Sequence, residues 1–456
     1  MATSRQTRSG RIYLEFSKDL QDAQIVKAHS SSPPLQHLLQ EALGREPVDD
    51  DLETFETPLQ PSEPPASIVD VTPTASNKKR KLSISEPSRG PNHHRHAKRR
   101  KTRASKFDSE GHLHGHNAAA IESCSVNSSS KKVADLPSAT GGFIGRNLEN
   151  SARIHTVDWY KSQPDWQYVK WDGRQALVIV DEEEHIFTVG LKKINDAKLD
   201  QDMKDVASLL EDTRATKLIV KRGDTSHLRG EGFVAAATGW SMGQGQQKVT
   251  HTAGKNEAVM QQVIKEPCMK RLAAMQDAGF ACWSFKNYGY YKQSMDQLKS
   301  SIEGFQPNFD RSQFACITCN FGPQVCTSCH TDAKNCPHSL CAITAVGTFD
   351  PTKGGHLVLP DLKIIVEFPS GCTILLPSAI LRHHNTPVQP GETRYSVTQY
   401  SAGGIFRYQE YGNRTEEQLR RQDKALYEKV MGEHEGRWLK MVGMFVTLDE
   451  VRQFHS

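Results

Sequence analysis

Two histidines, an aspartate and an arginine in the C-terminal half have the residue types and spacing of a metal site. His330 and Asp332 are separated by one residue, and in a β-strand such residues point to the same side. A third ligand must come from another strand, and on spacing alone either His383 or His384 can supply it. Two imidazoles and one carboxylate on one face of a metal leave the opposite positions open. Non-haem Fe(II) oxygenases use this arrangement.

The same region contains a pair of residues that suits an organic acid. Arg394 and Ser396 lie on one face of a predicted strand. A guanidinium binds a carboxylate through two hydrogen bonds, and a hydroxyl adds another. The pair therefore suits the distal carboxylate of 2-oxoglutarate, whose near carboxylate and keto oxygen would fill two open positions on the metal. The predicted cofactor is Fe(II), and the predicted co-substrates are 2-oxoglutarate and O2.

The apolar patterns predict the elements that position these residues. Helical spacing covers 204–210, 257–264, 269–278 and 290–302, and a capping box at Thr415 to Gln418 begins a helix that continues to Gly432. Runs typical of strands cover 166–170, 176–180, 186–189, 357–359, 362–368, 373–376 and 395–400, with a turn at Asp172 and Gly173 between the first two. Helices followed by strands indicate an α+β domain whose second half is a β-sandwich or jelly roll.

The first third of the chain has the composition of a disordered arm. Residues 1–150 are rich in Ser, Pro, Thr and charge and show no sustained period, so the folded domain is predicted at 151–456. Basic clusters at 78–81 and 98–103 have the form of a bipartite nuclear import signal. The predicted location is the nucleus, reached through a nuclear import receptor. A nucleic-acid-binding arm and a solvated charge run are the alternatives.

Apolar runs and cysteines help to indicate the cellular compartment. No run is long enough to span a membrane, and the first ten residues lack the hydrophobic core of a secretory signal. We therefore expect an intracellular protein without a membrane partner, whose ten cysteines are mostly reduced thiols. Pairs at 316/319 and 326/329 have the spacing of a zinc site. The short gap between them, and Cys329 next to His330, make that alternative less favoured.

The ordered motifs resemble a known family, the TET/JBP group of 2-oxoglutarate/Fe(II) dioxygenases in its fungal form. The resemblance covers about 239–411 and is carried by Asn320-Phe321-Gly322-Pro323, His330-Thr331-Asp332, Cys341-Ala342-Ile343-Thr344-Ala345-Val346-Gly347, Asp350-Pro351-Thr352-Lys353-Gly354-Gly355, Leu381-Arg382-His383 and Gly391-Glu392-Thr393-Arg394-Tyr395-Ser396-Val397-Thr398. It implies a double-stranded β-helix core, of jelly-roll or cupin type, with flanking helices. It also implies that His383 rather than His384 is the third ligand.

The resemblance further implies oxidation of a modified DNA base, with 5-methylcytosine to 5-hydroxymethylcytosine, and further oxidised forms, as the leading reaction. Thymine hydroxylation and N6-methyladenine demethylation are alternatives, as are an RNA or protein hydroxylase and an inactive chromatin-binding module. A base inside a duplex must be flipped out to reach such a site. Candidate substrate or DNA contacts are Asn320, Gln244, Gln246 and Lys248. The basic pair at 221 and 222 is interpreted as a solvated turn.

Overall fold

The computed structural model describes residues 126–127, 132–136, 138–139, 141–146, 154–227, 229–243, 245–252 and 254–455. The two basic clusters, and with them the predicted import signal, lie outside the described residues.

Fifteen strands and ten α-helices are formed by the described residues. The strands are β1 (Val126–Asn127), β2 (Gln167–Val169), β3 (Leu177–Val180), β4 (Ile186–Gly190), β5 (Ser226–His227), β6 (Gly230–Glu231), β7 (Val234–Ser241), β8 (Thr250–His251), β9 (Cys316–Phe321), β10 (Cys341–Thr348), β11 (Leu357–Leu359), β12 (Ile364–Val366), β13 (Thr373–Leu376), β14 (His384–Asn385) and β15 (Thr393–Tyr400). The helices are α1 (Val157–Ser162), α2 (Ala197–Thr216), α3 (Glu257–Val263), α4 (Pro267–Trp283), α5 (Phe285–Ser301), α6 (Gly403–Glu410), α7 (Glu416–Gln422), α8 (Lys424–Gly432), α9 (His434–Val442) and α10 (Leu448–His455).

Two sheets form the core of the domain. The larger has nine strands in the order β1-β3-β4-β13-β10-β15-β9-β7-β8, and the smaller has four in the order β14-β11-β12-β2. From β9 onward the chain moves back and forth between them: β9, β10, β13 and β15 join the larger sheet, and β11, β12 and β14 join the smaller. His330 is bridged to His383, the residue before β14. This winding is that of a double-stranded β-helix, so the predicted fold class is confirmed.

The two faces of the larger sheet differ in polarity. Tyr395 and Val397 of β15 belong to an apolar cluster with Leu199, Met203 and other residues of the helices that cover the sheet. Burying each large side chain of this kind stabilises the fold by about 1.5–3 kcal/mol. Because alternate residues of a strand point to opposite faces, Arg394, Ser396 and Thr398 of β15 are directed away from these helices.

The folded body begins before the boundary predicted at 150. Val133, Leu136 and Phe143 are buried in the main core, and the ring of Phe143 lies edge-on to Tyr411 at 6.3 Å. The amide of Gly145 donates to the carbonyl of Ala333 at 2.6 Å. Residues before the predicted boundary are therefore buried, in a short, loop-like segment with no period that would reveal its burial.

Two local predictions concern a turn and the end of a helix. The turn predicted at Asp172 and Gly173 lies between β2 and β3, which belong to different sheets. Thr415 and Gln418 form the predicted capping box, yet the helix that follows ends at Gln422. Asp423 has an extended backbone (φ −148°), and its side chain caps a second helix. An Asp side chain competes in this way with a continuous helix.

None of the helices within the described ranges is long and apolar enough to cross a membrane.

Candidate metal and co-substrate site

Three side chains between the sheets bring their ligand atoms together. His330, Asp332 and His383 each offer one atom, and these atoms lie within 4.8 Å of one another. Backbone hydrogen bonds of 3.2 and 3.0 Å pair His330 with His383, so the two imidazoles are fixed by main-chain geometry. Nε2 of His330 lies 3.9 Å from Oδ1 of Asp332, and Nε2 of His383 lies 3.9 Å from Oδ2 of the same carboxylate.

The hydrogen bonds of both imidazoles leave Nε2 available for a metal. Nδ1 of His330 lies 2.7 Å from the carbonyl of Ser328, and Nδ1 of His383 lies 2.9 Å from the carbonyl of Leu381. A carbonyl only accepts, so Nδ1 carries the proton and Nε2 has a free lone pair. Burial, assisted by His383, lowers the pKa of His330 to about 3, and burial lowers the pKa of His383. Both rings are therefore neutral at physiological pH, as ligands must be.

Arg229 is a member of the site that sequence reasoning missed. Its Nη2 lies 2.8 Å from Oδ1 of Asp332, and its carbonyl accepts the amide of Ser328 at 2.7 Å. Burial alone would raise the pKa of Asp332, but the adjacent charge of Arg229 opposes burial, and the pKa is lowered. The carboxylate is thus held in its charged form. No motif surrounds this arginine, which lies about 100 residues before the aspartate, so the sequence contains no signal for it.

His384 has a different environment from its neighbour. Its Nε2 lies 2.8 Å from the hydroxyl of Tyr160, and it lies in β14, opposite Val358 of β11. The structure brings His383, and not His384, to the other two ligand atoms.

Arg394 is a buried cation whose hydrogen bonding is incomplete. The residue is 3% exposed, Nη1 donates to the carbonyl of Val325 at 3.3 Å, and Nε has no hydrogen-bond partner among the residues that the structure describes. Burial lowers the pKa of Arg394 to about 10. A Cβ at Gly355 would lie 2.8 Å from the ring of Phe349 and 3.3 Å from Cδ of Arg394, so the glycine leaves room for the arginine. A carboxylate is the partner that such a guanidinium lacks.

Ser396 lies two residues further along the same strand and is also buried. Its Oγ accepts a hydrogen bond from Nδ2 of Asn320 at 2.9 Å. Arg394 and Ser396 therefore lie on one face of β15, as predicted for a pair that holds the distal carboxylate of 2-oxoglutarate.

The predicted DNA contacts are distributed differently. Asn320 is buried in β9 beside Ser396 rather than at the surface. Gln246 and Lys248 lie in the loop after β7, where Nε2 of Gln246 donates to Thr250 at 2.6 Å and Lys248 is exposed. Gln244 lies outside the described residues.

The cysteine pairs do not assemble a second metal site in the parts of the chain that the structure describes. Cys316 and Cys319 are three residues apart in β9, so their side chains point to opposite faces of the strand. The described cysteines are all free thiols. The group of His330, Asp332 and His383 is the one metal-binding cluster found among the described residues.

Comparisons with known proteins find similarity in solved structures. No family model and no curated protein matches the chain. NgTET1 in complex with 5mC DNA matches with 11% identity, 54% of this chain and 86% of that chain covered, and a TM-score of 0.34. A 2OG-Fe(II) oxygenase family oxidoreductase from Burkholderia pseudomallei matches with 16% identity, 47% and 84% covered, and a TM-score of 0.26. OsALKBH1 matches with 10% identity, 47% and 97% covered, and a TM-score of 0.26.

The chemistry of the site follows from its side chains. Two neutral imidazoles and one carboxylate converge beside a buried guanidinium that lacks an anionic partner. The donor set fits Fe(II), and the guanidinium fits 2-oxoglutarate, with O2 as the second co-substrate. This is the active-site design of Fe(II)- and 2-oxoglutarate-dependent oxygenases.

Proposed function

We propose that this chain is a nuclear Fe(II)- and 2-oxoglutarate-dependent dioxygenase that oxidises a methyl group on a DNA base. The leading reaction is conversion of 5-methylcytosine to 5-hydroxymethylcytosine. One observation carries the proposal: the ligand atoms of His330, Asp332 and His383 converge in the same sandwich that buries Arg394 with its Nε unpartnered.

Each residue of the site has a distinct task. Fe(II), when bound with 2-oxoglutarate and O2, supplies the oxidising power for hydroxylation of a C–H bond. His330 and His383 present Nε2 because the carbonyls beside them hold Nδ1. Arg229 keeps Asp332 charged, and Arg394 holds the distal carboxylate of the co-substrate. Burial of these groups excludes water, which strengthens every charge interaction among them.

The base substrate is supported by the resemblance to the TET/JBP group, whose motifs include all five residues predicted to bind the metal and the co-substrate. Thymine and N6-methyladenine are the alternative bases. An RNA or protein hydroxylase would use the same metal site, whereas an inactive chromatin-binding module would bind DNA without turning over 2-oxoglutarate.

An exposed basic and apolar segment after α2 suits a DNA backbone. Ile219 and Val220 are 51% and 50% exposed, and Lys221 and Arg222 next to them are exposed as well. The segment is held in place by Asn256, whose side chain accepts from the amide of Ile219 at 2.8 Å and donates to its carbonyl at 3.2 Å. A rigid loop that presents cations can contact phosphates without a large loss of entropy. We therefore assign this segment to DNA contact rather than to a merely solvated turn.

The proposal is tested by mass spectrometry of nucleosides. Duplex DNA that contains 5-methylcytosine or N6-methyladenine is incubated with the protein, Fe(II), ascorbate and 2-oxoglutarate. We expect loss of 5-methylcytosine and formation of 5-hydroxymethylcytosine, no product with Asp332→Ala, and unchanged product with the control Asp158→Ala, which removes an exposed carboxylate.

Other outcomes point to the alternatives. Loss of N6-methyladenine alone would identify N6-methyladenine, rather than 5-methylcytosine, as the substrate base. Formation of succinate with unchanged DNA would indicate an RNA or protein substrate. DNA binding without succinate would favour the inactive module.

A further inference from the structure

The face of the larger sheet that carries Arg394 holds a short row of small and polar residues. Ser396 of β15 pairs directly with Ala345 of β10 on one side and with Asn320 of β9 on the other. Asn320 in turn pairs with Ala235 of β7. Directly paired residues of neighbouring strands point to the same face. The row thus places one amide and one hydroxyl between two alanines, beside the anchor arginine.

The amide of Asn320 fixes the direction of one proton. Nδ2 donates to Oγ of Ser396 at 2.9 Å, so an oxygen lone pair of the hydroxyl is already in use. The hydroxyl must then donate its own hydrogen bond to a different group. Oδ1 of Asn320 is buried and has no hydrogen-bond partner within the described part of the chain, so the amide does not take up that proton.

We propose that Asn320 is a positioning residue for the co-substrate: it orients the hydroxyl of Ser396 so that the hydroxyl donates to the distal carboxylate held by Arg394. This rests on the proposed function and reassigns Asn320 from DNA contact to the co-substrate pocket. A space-filling role does not account for the side chain. Between Ser396 and Ala235 an apolar residue would pack equally well and would leave no unpartnered oxygen inside the sandwich.

The test measures co-substrate binding without turnover. Isothermal titration calorimetry of 2-oxoglutarate is carried out on the full-length protein loaded with Mn(II), which substitutes for Fe(II). Asn320→Ala frees the Ser396 hydroxyl to rotate, and we expect affinity to fall about tenfold, the size of one hydrogen bond to a charged group. Asn320→Asp keeps the shape of the side chain but accepts the hydroxyl proton and repels the co-substrate. Its affinity should fall further than that of Asn320→Ala.

A double-variant cycle separates an indirect role from a direct one. Because the amide acts through the hydroxyl, Asn320→Ala should have no further effect on affinity when Ser396 is already alanine. In turnover, Asn320→Ala should raise KM for 2-oxoglutarate and leave kcat unchanged at saturation. Thermal unfolding without co-substrate identifies any variant that fails to fold, in which case Asn320→Asp supplies the test.

The outcomes distinguish this inference from the function on which it rests. Wild-type affinity in both Asn320 variants would overturn the positioning role and leave the proposed function intact. The same loss of affinity with and without Ser396 would overturn it as well, because the amide would then act independently of the hydroxyl. Absence of 2-oxoglutarate binding by the wild-type protein would refute both.

Discussion

Replacing Arg394 by methionine should stabilise the fold and weaken 2-oxoglutarate binding at the same time. Methionine retains much of the buried aliphatic stem of the arginine but removes its charge. The residue is 3% exposed and has neither an ion-pair partner nor a hydrogen bond to Nε among the described residues. The buried cation therefore lowers the free energy of unfolding of the protein without co-substrate. A bound carboxylate would compensate for this destabilisation.

The magnitude follows from the burial of the guanidinium. Its pKa is lowered to about 10, which against the usual value of arginine corresponds to about 3 kcal/mol of destabilisation of the charged form. The destabilisation is fully present at pH 7, because that pH lies far below the folded pKa. Loss of the hydrogen bond to Val325 offsets about 1 kcal/mol of the stability that removal of the charge would add. We expect a net gain of about 2 kcal/mol in the free energy of unfolding.

The affinity for 2-oxoglutarate should fall in the same variant. Loss of two charge-assisted hydrogen bonds, each worth about 1.5–3 kcal/mol, weakens 2-oxoglutarate at least about 100-fold. Urea unfolding without co-substrate gives the first quantity, and calorimetry on Mn(II)-loaded protein gives the second. A variant that is less stable than wild type by about 1 kcal/mol or more and has unchanged affinity would refute the description of Arg394 as an unpaired anchor.

Three further predictions test other parts of the molecule. His383→Ala should abolish Mn(II) binding in calorimetry while His384→Phe changes it by less than about threefold, and equal losses would contradict the ligand assignment. Burial raises the pKa of Asp277 to about 7. The native state therefore keeps a proton on Asp277 that the unfolded chain loses near pH 4. The free energy of unfolding should fall as the pH rises between these two values. Asp277→Asn should flatten that fall in denaturation curves at pH 5 and pH 8, and parallel curves would exclude the buried proton. The double variant Lys221→Glu/Arg222→Glu should weaken duplex binding and reduce its salt dependence, as measured by fluorescence anisotropy at several salt concentrations; unchanged binding would remove this segment from the DNA surface.

Local spacing was sufficient to predict that two of the candidate ligands lie together. The alternation of side chains along a strand places His330 and Asp332 together without knowledge of the rest of the fold. The order of motifs then selects His383 over its neighbour, and the structure agrees, because the neighbouring ring is held by Tyr160. The strands at 357–359 and 373–376 match β11 and β13, since short apolar runs bounded by Gly and Pro have few alternatives.

Contacts between distant segments could not be predicted in the same way. Arg229 reaches Asp332 through a two-stranded ribbon that no motif marks. Phe143 is buried although it lies in a segment with the composition of a linker. Asn320 has a side chain suited to a DNA base, but the pairing of β9 with β15 places it against Ser396. In each case a contact with a residue distant in the sequence, rather than the local sequence, decides the role of the residue.

Isotope labelling tests the central claim most directly. The protein is incubated with Fe(II), 2-oxoglutarate and duplex DNA containing 5-methylcytosine under 18O2, and both products are analysed by mass spectrometry. A 2-oxoglutarate-dependent dioxygenase should place one labelled oxygen atom in succinate and one in the oxidised base, and Asp332→Ala should form neither product. An oxidised base that carries no label, or undiminished labelled products from Asp332→Ala, would contradict the proposal that this site activates O2 for oxidation of the base.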